Sequence, residues 1–357
     1  MCRLCNRRLL SPRRGAVALV YALGGNTMLD RHTDRDRPES RRVVVTGGAG
    51  FIGANLVRTL TTVPWVDEVV VVDDLSTGDL GNLDGLALRF VEGSVLDAEM
   101  LDDTFDGASA VVHLAAIPSV PRSIAEPMRS HEANATGTMR VLEAARHAGN
   151  PHVIVASSSS VYGANPQLPK SEDMRPMPMS PYAVSKLAAE SYALAYADCY
   201  GLDVLPFRFF NVFGPLQPPT HDYAAVVPAF VSAALADRPL RVHGDGLQTR
   251  DFTFVDTVVG TLVDALARRV SSPNPVNLAF GSRISLVELI GELEQVLGRT
   301  LSVAHDRPRP GDVRDSQADT TRLRKLFPDI VPVPLTDGLR STATWMAGTA
   351  SSQSIGL

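Results

Sequence analysis

From residue 43 the chain alternates between two hydrophobic patterns. The runs "VVVT" at 43–46, "EVVVVD" at 68–73, "LRFVEG" at 88–93, "AVVHLAA" at 110–116 and "HVIVASS" at 152–158 are short and rich in β-branched residues. Between several of them lie stretches with helical period, such as "GANLVRTLTTV" and "GTMRVLEAARHAG". Continuous apolar strands alternating with helices predict a parallel sheet covered on both faces, an α/β architecture. Past about residue 211 the alternation loosens. Pro-rich segments such as "GPLQPPTHD" and "DRPRPGD" separate shorter elements there, which suggests a smaller C-terminal lobe closing over the strand ends.

Punctuation between the first strand and helix brings in chemistry. "VVVTGGAGFIGANL" is strand, glycine loop, helix, with Gly47, Gly50 and Gly53 at Gly-x-x-Gly-x-x-Gly spacing. Such a loop turns tightly and lets the backbone approach a pyrophosphate, and free N–H groups at the helix start attract the phosphates. Phe51 and Ile52 open that helix. Asp73 ends the next strand about twenty residues on, where an acid accepts the adenosine ribose hydroxyls. Asp74 follows it, and two carboxylates would repel a 2′-phosphate, so NAD is favoured over NADP. A structural turn with a surface Asp is the plainer alternative.

A second constellation sits downstream. In "MSPYAVSKLAAESYALAYA", Ser180 suits an N-cap and Pro181 the first helical turn. Tyr182 and Lys186 then lie one turn apart on one face. A phenol is a poor base near neutrality. A neighbouring lysine cation and a positive nicotinamide ring would bring it into working range. Tyr-x-x-x-Lys alone is common on solvated helix faces; following a dinucleotide loop and the strand-end serines 157–160, it becomes specific.

"TGGAGFIG", "DDLSTG", "HLAA", "SSSSVYG", "PYAVSK", "FRFFNVFGP", "GDGLQTRDF" and "RPGDVRDSQAD" resemble the extended short-chain dehydrogenase/reductase family over residues 43–345. "AAIPSVPRSIAEP" and "YAAVVPAF" are similar to its nucleotide-sugar 4-epimerases, particularly those acting on UDP-glucose and UDP-N-acetylglucosamine. The resemblance implies a Rossmann-type doubly wound sheet with a smaller C-terminal α/β lobe. It implies Tyr182 as base, Lys186 as its pKa-lowering partner, Ser158 on the reacting hydroxyl and Ser160 as a further polar group. NAD contacts are implied at Gly47, Gly50, Phe51, Ile52, Gly53, Asp73, Asp74, Ser76, Thr77, Gly78, Ser94, Val95, Leu114, Ala115 and Ala116, besides Tyr182 and Lys186. Substrate contacts are implied at Ser119, Arg122, Ser158, Tyr182, Asn211, Val227, Arg250, Arg309, Asp312 and Ser316. Ser157 and Ser159 are read as structural, because alternate side chains leaving a strand point opposite ways.

Departures from the family pattern narrow the chemistry. Dehydratases place Asp-Glu where this chain has Ser159 and Ser160, and decarboxylases carry a Glu just before the Val-Tyr-Gly. Epimerisation needs only one base and one hydride acceptor. Ser94 replaces an Asp of the adenine-contacting segment, leaving the backbone of Val95. Leu216 and Pro218 stand where epimerases of acidic sugars carry arginines. Ser316 is small where strict glucose/galactose enzymes carry Tyr, leaving room for an N-acetyl group. A UDP-glucuronate 4-epimerase, a 4-keto sugar reductase or dehydratase, and a catalytically silent NAD sensor are the alternatives.

Composition adds limits. The 357 residues carry 45% hydrophobic and 20% charged residues and a net charge of -5 with no dominant basic patch, which disfavours nucleic acid. No apolar run reaches the length of a membrane span. Cys2, Cys5 and Cys199 cannot form a disulfide framework, which points to a reducing, cytoplasmic setting. His243 and His305 lack metal-ligand spacing, no metal is expected, and His113, Trp65 and Trp345 are read as packing residues. Met174, Met177 and Met179 are read as lining a loop. The domain reading is a disordered extension at 1–40, a NAD-binding domain at 41–210, a predominantly substrate-binding lobe at 211–345 with some chain returning to the first domain, and a flexible tail at 346–357. Basic pairs before "GAVALVYALGG" also allow a cleaved signal or an interfacial anchor, and a start near Met28 is a third possibility. The resemblance implies a homodimer through helices near 131–148 and 181–200.

Overall fold

The computed structural model describes residues 41–219, 225–307 and 314–354, without the side chains of 350–354. The extension at 1–40, with Cys2 and Cys5, and the site candidates Arg309 and Asp312 lie outside the described residues.

Five strands fall on the apolar runs, β1 (Arg41–Thr46), β2 (Val66–Asp73), β3 (Arg89–Glu92), β4 (Ala110–His113) and β5 (His152–Ser158), and a sixth, β6 (Val204–Phe209), lies outside them. With the strand Val276–Leu278 they make one seven-stranded sheet in the order 276–278, β6, β5, β4, β1, β2, β3. Every pairing within it is parallel. The order reverses beside β1, at the crevice where doubly wound sheets bind dinucleotides. Strand β1 shows why the runs are continuously apolar. Val43 and Val45 join one buried cluster and Val44 the other, one on each face of the sheet.

Helix α1 (Phe51–Leu60) covers the first face together with the helix Val255–Arg268. On the second face lie α2 (Ala98–Phe105), α5 (Gly137–His147) and α6 (Pro181–Tyr200), the two short helices α3 (Val120–Ala125) and α4 (Pro127–His131) preceding α5. The helix predicted near 131–148 is not regular: residues Glu132–Thr136 form a π-turn between α4 and α5. Helix α6 matches its predicted limits. The Ser180 hydroxyl accepts from the Ala183 amide at 3.1 Å, Pro181 occupies the first turn, and Gly201 ends the helix in the left-handed conformation with φ of 71°. The final helix runs from Leu335 to Ser354, past the residue at which the sequence suggests a tail. Trp65 and Trp345 pack half-buried against the main core.

Candidate active site

The glycine loop spans the gap between β1 and α1. Gly47 has φ of 73°, and a Cβ there would stand 2.6 Å from the Ala115 nitrogen. A Cβ on Gly53 would stand 2.1 Å from the Gly47 carbonyl oxygen. These close approaches require glycine and hold the loop against Leu114 and Ala115. Gly50 is the N-cap of α1 and supplies no side-chain cap, so the first amides of the helix have no side-chain acceptor. An open cradle of this kind fits a pyrophosphate.

Asp73 braces the loop. Its carboxylate accepts from the amide of Ala49 at 3.0 Å and of Leu75 at 2.9 Å. Burial raises its pKa, against the two amide hydrogen bonds. The Gly78 position approaches the same carboxylate, while Ser76 donates its amide to Asp74 at 3.0 Å. Thr77 is exposed. Val95 is buried, and the Ser94 hydroxyl accepts locally from Leu96 at 3.3 Å.

The Tyr182–Lys186 pair stands where β5 delivers its serines. The Ser158 hydroxyl accepts from the Ser160 amide at 3.1 Å. Burial pushes the pKa of the Tyr182 phenol up, with Ser158 acting to lower it. Lys186 is buried, donates to the Ala156 carbonyl at 3.0 Å, and is lowered to about 8 by burial. The Ser160 hydroxyl is buried with no partner among the described residues, whereas Ser157 turns away to donate to Glu190 at 2.7 Å. Glu190 forms a buried ion pair with Arg208 at 2.6 Å, and that guanidinium lies 4.7 Å from the Tyr162 ring centroid. A polar floor therefore lies beneath the serines.

Ser119 holds an unusual backbone, with φ of 105° and ψ of 117°, and caps α3 by accepting from the Arg122 amide at 3.2 Å. Strain of this order in a side-chain-bearing residue clusters at functional sites. Farther along, Asn211, Val227 and Arg250 line one cavity of about 250 Å³. Arg250 donates to the Arg314 carbonyl at 3.0 Å, and Ser316 donates its amide to Thr249 at 3.1 Å, so that Ser316 is tied beside Arg250. Met174 packs half-buried against the small cluster around Tyr162, and Met177 and Met179 are exposed.

Several residues here escape sequence reasoning. Arg241, His243 and Gln248 line the same cavity. They sit on and just after the strand Leu240–His243, whose burial alternates, and that period of two was the available signal. Asn134 is the other. Its side chain accepts from the Ile117 amide at 2.8 Å and donates to the Ile117 carbonyl at 3.2 Å and to Ser185 at 3.0 Å. It lies in the π-turn, which no helical pattern announces. Among the described residues no cluster of three or more His, Cys, Asp or Glu is placed to hold a metal, and no helix is long and apolar enough to cross a membrane.

The NAD dependent epimerase/dehydratase family matches residues 43–279. UDP-glucose 4-epimerase of Mycolicibacterium smegmatis is 39% identical over 307 residues, covering 84% of this chain and 97% of that protein. The structure of UDP-N-acetylglucosamine 4-epimerase from Methanobrevibacter ruminantium M1, in complex with UDP-N-acetylmuramic acid, superposes with a TM-score of 0.82 at 34% identity, over 87% of this chain and 99% of that one. UDP-glucuronic acid 4-epimerase from Bacillus cereus, solved with a fluorinated UDP-sugar and NAD, gives 0.79 at 30%, over 86% and 99%.

Proposed function

The chain belongs to the NAD-dependent epimerase/dehydratase family, and on that premise we propose that it inverts C4 of a UDP-hexose through a 4-keto intermediate. UDP-glucose/UDP-galactose and their N-acetyl forms are the proposed substrates. One observation carries the choice of epimerisation. Tyr182 and Lys186 stand one helical turn apart, with Lys186 bound to the Ala156 carbonyl of the strand that carries Ser158, and the adjoining positions 159 and 160 are serines, not carboxylic acids. Elimination of water needs a carboxylic acid there, and a serine hydroxyl is far too weak an acid to replace it.

NAD, when bound, supplies the acceptor for the C4 hydride and the donor for its return. Tyr182 takes the proton of the sugar 4-hydroxyl, Ser158 holds that oxygen by hydrogen bonding, and Lys186 favours the phenolate and holds the nicotinamide ribose. The keto sugar turns over about its pyrophosphate linkage, and Tyr182 returns the proton on the other face. The residues named for the cofactor in the glycine loop, at Asp73–Gly78 and at Leu114–Ala116 form one side of this site. Asn211, Val227 and Arg250, on a common cavity, are proposed to hold the nucleotide diphosphate, with Arg309 and Asp312 assigned by resemblance. Leu216 and Pro218 supply no cation for a C6 carboxylate, which disfavours UDP-glucuronate. Exposed Val184, Tyr192 and Tyr200 on α6, and exposed Ile124 and Met128 on the helices α3 and α4 that pack against it, support a homodimer through this face.

Proton NMR of the purified protein with UDP-glucose, UDP-N-acetylglucosamine and UDP-glucuronate, and no added NAD, tests the assignment. The C4 epimers of the first two should accumulate without net NADH. Loss of water from the sugar, or one NADH released per turnover, would sink it.

A further inference from the structure

His113 ends β4 and is buried between β1 and α5. Buried imidazoles ordinarily satisfy their ring nitrogens, but here the two partners belong to the elements that build the two halves of the site. Nδ1 lies 2.7 Å from the Thr46 hydroxyl and Nε2 lies 2.9 Å from the Thr138 hydroxyl. The proton directions follow from the network. Thr138 spends its one hydroxyl proton on the Asn134 carbonyl at 2.6 Å, so toward His113 it accepts. Nε2 therefore carries the proton, and the bare Nδ1 accepts from Thr46. Burial, aided by the nearby Lys186 charge, holds the ring's pKa at about 3, so the ring is neutral in ordinary conditions.

Followed outward, the same chain reaches both halves of the site. Thr46 immediately precedes Gly47, and its carbonyl accepts from Leu114 at 3.0 Å. On the other side Asn134 fixes both backbone groups of Ile117 and donates to Ser185, whose hydroxyl donates to the Tyr182 carbonyl at 2.8 Å. Thr46, His113, Thr138, Asn134 and Ser185 are all buried. A continuous, single-direction line of hydrogen bonds thus runs from the root of the dinucleotide loop to the backbone of the reacting tyrosine.

We propose that His113 is a positioning residue that sets the dinucleotide loop in register with Tyr182, its Thr46 arm holding the loop and its Thr138 arm holding the catalytic helix. The proposal rests on the epimerase reading for its rate measurements but not for its cofactor measurements. Misplacement of reacting groups by about an ångström costs on the order of a hundredfold in rate even when no reacting group is changed. The two arms are separable, because an asparagine can reproduce the acceptor at Nδ1 and a glutamine the donor at Nε2.

The test compares His113→Asn and His113→Gln with parent holoenzyme, measuring melting temperature, NAD retained after gel filtration, and kcat for UDP-galactose. His113→Asn keeps the Thr46 arm: NAD retention should match the parent while kcat falls about a hundredfold. His113→Gln keeps the Thr138 arm: kcat with saturating NAD should stay within a few-fold while NAD retention drops. Should either variant fail to fold, Thr138→Val and Thr46→Val cut the same two arms and should reproduce the two profiles. Parallel loss of rate and retention in step with melting temperature, in whichever pair is read, overturns the proposal in favour of plain packing. If the parent itself leaves every UDP-hexose unchanged, the epimerase assignment fails, and the retention contrast between the two arms still decides the role of His113.

Discussion

Lys186 donates its ammonium to the carbonyl of Ala156, two residues before Ser158 on the same strand. The bond ties the catalytic helix to the strand end that carries the serine. It also holds a cation in a buried place, and burial answers by lowering that lysine to about 8.

The first prediction concerns the pH profile. If Tyr182 works as the phenolate, as proposed, then because burial raises the phenol, kcat should climb as pH rises. In the proposed role Lys186 counters that rise in pKa, and it can do so only while it is charged. Lys186→Met removes the charge at every pH, so the climbing limb should move to higher pH and kcat near neutrality should fall about 10²–10⁴-fold. Steady-state rates between pH 5.5 and roughly 9.5 measure it. An unshifted limb would remove Lys186 from the acid–base role.

Tyr182→Phe and Ser158→Ala probe the other two groups. Removing the phenol should lower kcat by at least about 10³-fold, and removing the serine hydroxyl by about 10²-fold. Neither side chain braces the glycine loop, so both variants should keep their NAD. Absorbance of the purified proteins reads cofactor content beside the rate.

Gly53→Ala tests the loop. Its Cβ would meet the Gly47 carbonyl oxygen at 2.1 Å and the Gly48 Cα at 2.7 Å, both backbone atoms, so the loop has to deform. The variant should purify without NAD. Asp73→Ala acts differently, because it strands the amides of Ala49 and Leu75, at a cost of about 1–3 kcal/mol in stability as well as cofactor affinity. Chemical denaturation with and without NAD separates the two effects.

How much of this was legible in the chain depends on where the physics is local. Val43–Val45 and Val69–Val72 announce buried parallel strands because a parallel sheet is covered twice, and the runs stay apolar throughout. Tyr182 and Lys186 are legible because one helical turn fixes their relation. Asn134 is not, since its partners Ile117 and Ser185 are 17 and 51 residues away and its π-turn shares the helical pattern around it. Arg241 and His243 reach the Arg250 cavity only through the fold of the C-terminal chain. The buried Arg208–Glu190 pair reads as two surface charges until β6 and α6 are packed together.

Ser316→Tyr addresses substrate range. Ser316 is tied to Thr249, next to Arg250, and its small side chain is proposed to leave the room that a phenol would fill. If it faces C2 of the sugar, the variant should lose turnover of UDP-N-acetylglucosamine about a hundredfold while keeping UDP-glucose within a few-fold, the scale on which a filled pocket discriminates. Equal loss with both sugars would place the side chain elsewhere.

Two buried histidines set the acid limit of the fold. His113 is lowered from 6.5 to about 3 by burial and by Lys186, and His152 from 6.5 to about 4, chiefly by burial. Both therefore fold neutral. Below about pH 6.5 the unfolded chain takes up protons that the folded chain refuses, so stability must fall as pH drops through the window from 6.5 to about 4, and these two groups leave it flat above. Each pH unit inside the window costs up to about 1.4 kcal/mol per histidine. His152→Gln keeps a donor for the Val270 carbonyl, which accepts at 2.8 Å in the parent, and removes one titration. Its denaturation midpoint should depend less steeply on pH between 4 and 6.5 than the parent's, with the two curves converging in slope above that range. Identical slopes throughout would mean that His152 takes a proton as readily folded as unfolded, and would overturn the prediction.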